Sequence, residues 1–595
     1  MTILLTRNPE MPLTSRLILT ATVTTLLLCS LLSGKTVSAQ QADLILHGGK
    51  VVTVDAEFSI AEAIAVRGDR IVAVGADADV LALAGEKTTK VDLDGRTVLP
   101  GLIDSHVHAT GASMYEFDHP VPDMETIADV LAYVQARAAV LDEGEWIKIS
   151  QVFVTRLRDQ RFPTRYELDQ VAPKHPVLFR TGPDAAVNSL ALELSGIDKD
   201  FEITDGKPGY IERDPETGEP NGILRSCTRL VKTTGSSRRA TQEDRLDRLE
   251  ALFADYNRVG LTSVCDRGGS DGSIALYQRL KEEDRLTCRV FVSYSVGAQS
   301  DLEQIEKRIQ KAASSPHHAY DNMLWLRGIK IFLDGGMLTG SAYMRQPWGV
   351  SQIYSISDPE YRGLIYVPEE KLYRIAKFAL ENDLQITAHS VGDGAVHALI
   401  KAYERIHKDD FSVKGMRPCI THCNFMSAEA IERMQRLDIV ADLQPAWLWL
   451  DGKTLLRQFG DERLTYFQPY RSLFEAGVTI GGGSDHMQKI GGRRAVNPYN
   501  PFLGMWITLA RSPRWMEGAL HLEQSLSREQ AIRLYTINNA YLTFEEKEKG
   551  SLEVGKLADL IVLDQDILTV PVDEVKDITV RQTYLGGRLV HSTAE

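Results

Sequence analysis

Two histidines one residue apart, His106 and His108, stand in the segment Asp104-Ser105-His106-Val107-His108 at the end of the apolar run 97–103. Residues two apart in a strand project to the same side, so both imidazoles can reach one metal ion. By itself an H-x-H pair equally describes two histidines satisfied in a core. Further donors stand at comparable places. His389 follows the apolar run ending in Ala388, His422 follows Cys419-Ile420-Thr421, and Asp485 follows Gly481-Gly482-Gly483-Ser484. Lys330 lies inside the apolar run Gly328-Ile329-Lys330-Ile331-Phe332. A bare ammonium there is costly and needs a partner, for which Asp334 is one candidate. Imidazole and carboxylate donors suit Zn²⁺, with Fe²⁺, Mn²⁺ and Ni²⁺ open. Such an ion acidifies a water so that hydroxide can attack a carbonyl near neutral pH. Asp485 is then the carboxylate placed to take up and return a proton in such a step.

These residues need a scaffold that brings distant strand ends together. Eight apolar runs, 97–103, 261–265, 288–294, 325–333, 384–388, 418–421, 438–443 and 478–482, are mostly separated by helix-periodic stretches such as 368–382 and 427–436. Alternating strands and helices argue for a parallel sheet. Eight repeats fit an α/β class (β/α)₈ TIM barrel, whose strand ends converge on one mouth. A further helix is expected over 527–541, opened by a capping box of Ser527 and Gln530. About 155 residues separate the first run from the second, far more than a crossover helix needs, so an insert is expected over about 115–245. Glycine pairs in 43–53 and 580–591, and Gly68-Asp69 in 62–74, read as hairpins. With the run 557–564 they predict a small β-sandwich built from both chain ends, 40–95 and 545–595, around a barrel domain over 96–544. Aromatic residues after the fourth and seventh runs, Tyr343, Trp348, Trp447 and Trp449, are candidates for lining the mouth and holding an apolar or aromatic substrate group.

The motifs VLPGLIDSHVH (98–108), GIKIFLDGG (328–336), TAHSVGDGAV (387–396), THCN (421–424), LQP (443–445), GGGSDH (481–486) and GSLEVGKLADLIVLD (550–564) run in order along the chain. In these the chain resembles the amidohydrolase superfamily, and within it amidohydrolase family 3, the branch of YtcJ-like and N-substituted formamide deformylase-like proteins. The resemblance implies a distorted barrel with a terminal β-sandwich and a site of one or two divalent metals. It implies that His106, His108 and Asp485 hold one ion and that His389 and His422 hold a second, with Lys330 carboxylated and bridging. Asp393 would orient His389. Two departures stand out. The branch's D-G-H segment of the insert appears here as Thr181-Gly182-Pro183, followed by Asp184, and His486 follows Asp485, as a polar contact or a spare ligand.

The implied function is hydrolysis of a C–N bond in an amide, N-substituted formamide or cyclic amide. An esterase or lactonase on the same site, or a non-catalytic binding or regulatory scaffold, is the alternative. Acidic residues outnumber basic ones, 81 to 67, which disfavours nucleic-acid binding because phosphate would be repelled. The partner expected is a small amide-type molecule, with a homodimer left open. Arg7 and Arg16 precede the apolar run 17–32, and Val37-Ser38-Ala39 has peptidase-site spacing. Residues 1–39 therefore read as a secretory signal, with a retained anchor as the alternative. Export to the periplasm or beyond is expected, with no other run long enough to span a bilayer. Beyond residue 39 there are five cysteines, an odd number that does not form a disulfide framework. Cys423, beside His422, reads as a core thiol.

Overall fold

The computed structural model describes residues 41–182, 184–206, 209–234 and 239–593. The signal reading of 1–39, Pro183, and part of the polar stretch 231–242 lie outside the described residues. No described helix is long and apolar enough to cross a membrane.

Eight parallel strands form the central sheet. They are β1 (Leu102–Val107), β2 (Leu261–Gly269), β3 (Arg289–Ser295) and β4 (Leu324–Phe332). β5 (Gln385–Ser390), β6 (Cys419–His422), β7 (Val440–Leu443) and β8 (Ile480–Gly482) complete it. Each strand pairs with its sequence neighbour, β1 through β8. Helices return the chain between strands, among them Asp271–Glu282, Leu302–Ala313 and Asp393–Asp409. The last of these buries Leu399, Ile400, Tyr403 and Ile406, a stripe at helical spacing that faces the barrel.

β8 and β1 nearly close the ring without a regular ladder. The Asp485 N–H donates to the His106 carbonyl at 2.8 Å, and the His108 N–H donates to the His486 carbonyl at 2.8 Å. Asp104 Oδ1 accepts the N–H groups of His106 (2.9 Å) and Ser484 (3.0 Å). Gly483 permits this closure, since a Cβ there would lie 2.6 Å from Ser105 Oγ and 2.8 Å from the His106 nitrogen.

Three expectations need adjustment. The run 97–103 is two elements: Thr97–Pro100 belongs to a terminal sheet, and the barrel strand begins only after Gly101. The helix expected over 527–541 keeps its Ser527–Gln530 capping box but stops at Leu534 and resumes over Ile537–Leu542. The Tyr535 carbonyl at the break accepts the N–H of Ile103 in β1 instead of a helical bond. The glycine pair at 48–49 is not a hairpin turn. Ala42–His47 pairs with Ala63–Arg67, whereas Lys50–Val52 lies in the other terminal sheet beside Thr97–Pro100. The pair carries the chain across a corner too tight for a side chain, because a Cβ on Gly49 would meet Leu93 at 2.5 Å.

The two terminal sheets have four and six strands, and the six-stranded one takes three strands from residues 560–592. Leu44, Ile64, Val98, Leu560 and Tyr584 pack in one core between them. A further five-stranded mixed sheet, drawn from Ile147 to Arg225, lies between β1 and β2 in sequence and has its own apolar clusters.

Candidate metal centre

The strand ends place the donors. His106 lies within β1, and His108 directly follows it. Lys330 lies in β4, His389 in β5 and His422 in β6, while Asp485 follows β8 by three residues. One donor atom from each of His106, His108 and Asp485 falls within 4.8 Å of the others. Asp485 Oδ1 is 3.4 Å from His106 Nε2 and 3.2 Å from His108 Nε2. The His389 and His422 ring centroids are 4.4 Å apart, and His422 is 5.1 Å from His106. The two histidine groups therefore share one small space. Gly268 keeps β2 clear of it, since a Cβ there would lie 2.8 Å from His108 Nδ1.

Neighbouring acceptors fix which nitrogen of each ring faces inward. Gln444 Oε1 accepts from His422 Nδ1 at 2.6 Å, leaving Nε2 free. The Gly335 carbonyl accepts from His389 Nε2 at 3.3 Å, leaving Nδ1. Such partners set tautomer and ring orientation at metal sites. Asp442 Oδ2 lies 3.1 Å from His106 Nδ1, a contact close enough for charge but not aligned as a hydrogen bond. Both His106 nitrogens and Asp442 Oδ2 are buried without a hydrogen-bond partner. Buried polar atoms are rarely left so. Nitrogen and carboxylate donors converging with unspent lone pairs fit a divalent cation.

Burial pushes the His106 and His422 imidazoles well below their ordinary range, reinforced by the Lys330 charge at His106 and by His389 at His422. Burial and Lys330 bring His389 down to about 3. All three are neutral near pH 7, the form that donates to a metal. Burial also lowers Lys330 to about 8, against the pull of Asp442 and Asp485. Lys330 makes no ion pair with Asp334. That carboxylate instead accepts the backbone N–H groups of Tyr343, Val391 and Gly392 at 2.9–3.0 Å. His108 is the most open of this set, its side chain 29 % exposed against 1 % for His106.

Other candidates separate. Trp447 is buried, and its indole stacks on the His422 ring at 4.7 Å and 14°. Trp449 lies two residues on in the same helix, Pro445–Phe459, and so faces away. It packs beneath Arg514 and lines a cavity of about 130 Å³ bordered by none of the six donors. Trp348 does not line the mouth. It is a core residue, with its N–H donated to the Ala342 carbonyl and its ring against Tyr354 and Phe459. Tyr343 is half-buried over Gly394. His486 is no spare ligand, because Tyr256 Oη and the Gln488 and Lys489 carbonyls occupy its two ring nitrogens. Asp393 accepts from the Arg345 N–H rather than from His389, and the carboxylate nearest that ring is Asp334, at 3.8 Å. Cys423 is buried in the core, its Sγ 3.5 Å from the Ile420 carbonyl. The Thr181-Gly182 turn lies against Thr339 in the loop after β4, and Asp184 pairs with Arg225.

Sequence reasoning missed Asp104, Asp442, Gln444 and Asn497. Asp104 and Gln444 lie inside the quoted motifs 98–108 and 443–445, and Asp442 carries a signal of its own: it is a charge inside an apolar run, as Lys330 is.

The chain is similar along most of its length to known proteins. N-substituted formamide deformylase from Arthrobacter pascens is 29 % identical over 562 residues, covering 92 % of this chain and 98 % of that protein. The putative amidohydrolase YtcJ of Bacillus subtilis is 25 % identical over 559 residues, covering 92 % and 99 %. In fold, the chain is similar to the crystal structure of an uncharacterized metal-dependent hydrolase from Pyrococcus horikoshii. That likeness has a TM-score of 0.65 at 20 % identity and covers 89 % of this chain and 99 % of the other. Residues 89–591 match the amidohydrolase family over most of the chain's length, and the chain belongs to that family.

Proposed function

We propose that this amidohydrolase-family hydrolase cleaves the C–N bond of a small amide, N-substituted formamide or cyclic amide, outside the cytoplasm. The observation that carries the reading is the convergence of His106, His108 and Asp485 with His389, His422 and Lys330 in one space at the strand ends. The name of the Arthrobacter relative, a formamide deformylase, supports the bond class. The character of residues 1–39 supports export.

His106, His108 and Asp485 would hold one divalent ion, Zn²⁺ by donor chemistry, and His389 and His422 a second. Lys330, carboxylated, would supply oxygens to both. Its lowered pKa of about 8 leaves a share of neutral amine, the form that adds carbon dioxide. A bound divalent ion supplies acidification of water and polarisation of the substrate carbonyl. The protein's own residues do the rest. Asp485, its Oδ1 between the two histidine Nε2 atoms, accepts the nucleophile's proton and returns it to the departing nitrogen. Gln444 and the Gly335 carbonyl keep the His422 and His389 imidazoles from turning, and the Asp442 carboxylate lies against His106. Trp447 walls the His422 side and excludes water there, leaving approach from the more open His108 side.

The test combines metal analysis of residues 40–595, purified without chelator, with turnover of paired amide, formamide and ester analogues. One to two bound ions and faster turnover of the C–N member of each pair are expected. Faster turnover of the esters would reassign the site to ester or lactone hydrolysis. No metal and no turnover with added zinc or manganese would overturn the catalytic reading in favour of a binding scaffold.

A further inference from the structure

Asp485 has a backbone conformation its side chain does not favour. Its φ is +55°, in the left-handed region, which strains a non-glycine residue and persists only where neighbours hold it. One neighbour is the His106 carbonyl, which accepts the Asp485 N–H at 2.8 Å; the other is Asn497, 1 % exposed. Its Nδ2 donates to the Asp485 carbonyl at 2.7 Å and reaches Asp485 Oδ2 at 3.4 Å. One side chain thus holds both the peptide and the outer carboxylate oxygen, while Oδ1 faces His106 and His108.

An asparagine can turn its amide over and present oxygen instead of nitrogen. Here it cannot, because Arg156 Nη1 donates to Asn497 Oδ1 at 2.9 Å and a guanidinium has donors only. The oxygen must face Arg156, and the N–H₂ must face Asp485. Arg156 is itself fixed. Its Nε and Nη2 engage both oxygens of Asp451 at 2.7–3.2 Å, and Nη1 also donates to the Val496 carbonyl. The pair is buried, 6 % and 2 % exposed. Arg156 lies on the short helical turn Val154–Arg156, which follows strand Ile147–Ser150 of the inserted sheet, whereas Asp451 lies on the helix after β7.

We propose that Asn497 is a positioning residue for Asp485, polarised by Arg156, so that the inserted region sets the geometry of the metal centre without contributing a ligand to it. The proposal rests on Asp485 belonging to that centre. Asp485→Ala in the same experiment tests this premise separately.

The experiment titrates Co²⁺ into the metal-stripped protein and follows its visible absorption, with affinity from chelator competition and folding from thermal unfolding. No substrate is needed. Asn497→Ala should weaken Co²⁺ binding by about 10- to 100-fold, the usual range for a partner of a ligand, and alter the spectrum. Asn497→Asp keeps the acceptor for Arg156 and the packing but cannot donate to Asp485, so it should show a loss of the same order. The double change Arg156→Met with Asp451→Leu removes the buried pair as a unit, which avoids leaving a lone buried charge. It frees the amide to turn and should give a smaller loss. Wild-type affinity and spectrum in Asn497→Asp would overturn the proposal and leave Asn497 a packing residue. If Asn497→Ala fails to fold, Asn497→Asp and the double variant decide.

Discussion

On one side of the centre, His106 lies between two carboxylates, Asp442 at 3.1 Å and Asp485 at 3.4 Å, and His108 shares the second of them. On the other, His389 and His422 hydrogen-bond to neutral groups, the Gly335 carbonyl and the Gln444 amide, with the Lys330 ammonium nearby and the Asp334 carboxylate 3.8 Å from His389. The first side has the negative charge a dication needs. The second has two good nitrogen donors, and the carboxylate near them, Asp334 at 3.8 Å from His389 Nε2, is already engaged by three backbone N–H groups, so a free anion appears there only if Lys330 becomes one. The two sides should therefore differ in how independently they hold metal, the second depending on a chemical change at a single lysine.

The most damaging change to this arrangement is Asp485→Asn. It removes one of the two carboxylates of the first side, the one shared by His106 and His108, and with it the group that moves the proton. A fall in kcat/KM of about a thousandfold is expected, since proton transfer alone contributes 10²–10⁴-fold. Steady-state hydrolysis of the best amide from the paired set measures it. A fall below about tenfold would mean that another residue carries the proton.

Lys330→Met sharpens the comparison more selectively. It preserves length and fills an apolar strand position, so folding should survive. The first side should retain its ion and the second should lose its own, bringing metal content toward one per chain. Elemental analysis of both proteins after one chelator-free purification reads this directly. Unchanged content in Lys330→Met would show that His389 and His422 need no anion, and the contrast between the sides would fail.

The sequence reveals this centre unevenly, for a physical reason. A residue that ends a barrel strand sits beside an apolar run, and a run is visible as composition. His106, His389, His422 and Asp485 could be found that way, and the alternation of runs with helical periods carried the barrel with them. Asp442 could have been found by the reasoning applied to Lys330, as a charge the strand cannot leave unpartnered. Asn497 could not. It lies in a loop twelve residues past Asp485, and its role exists only because Arg156, more than three hundred residues earlier, arrives on a helical turn of the inserted region. Partition between sheets was similarly hidden. Gly48-Gly49 and Gly586-Gly587 look alike as turns, yet the first crosses between sheets and the second joins Val580–Leu585 to Arg588–Ser592 as a hairpin. Trp447 and Trp449, two residues apart after the seventh run, look like one feature in the sequence. A helix there sends the two rings to different faces.

The smallest expected effect concerns protons rather than catalysis, and it probes whether the second side is sheltered without metal. In the metal-stripped protein, His389 titrates at about 3, held down first by burial and then by Lys330, whereas in the unfolded chain it titrates near 6.5. Between those values the unfolded chain binds a proton that the folded chain refuses. The buried neutral ring thus favours the fold above about pH 6.5, and that advantage is lost as pH falls toward 3. Each such histidine adds up to about 1.4 kcal/mol per pH unit to the slope of stability against pH. His106 and His422 act in the same direction. His389→Asn should flatten the slope of the metal-stripped protein by up to one proton's worth between pH 6 and 4, read from urea midpoints across that range. An unchanged slope would mean that His389 is already open to water when no metal is bound. The second side would then be assembled by the ion, whereas the first, with His106 at 1 % exposure between its carboxylates, would be built by the fold.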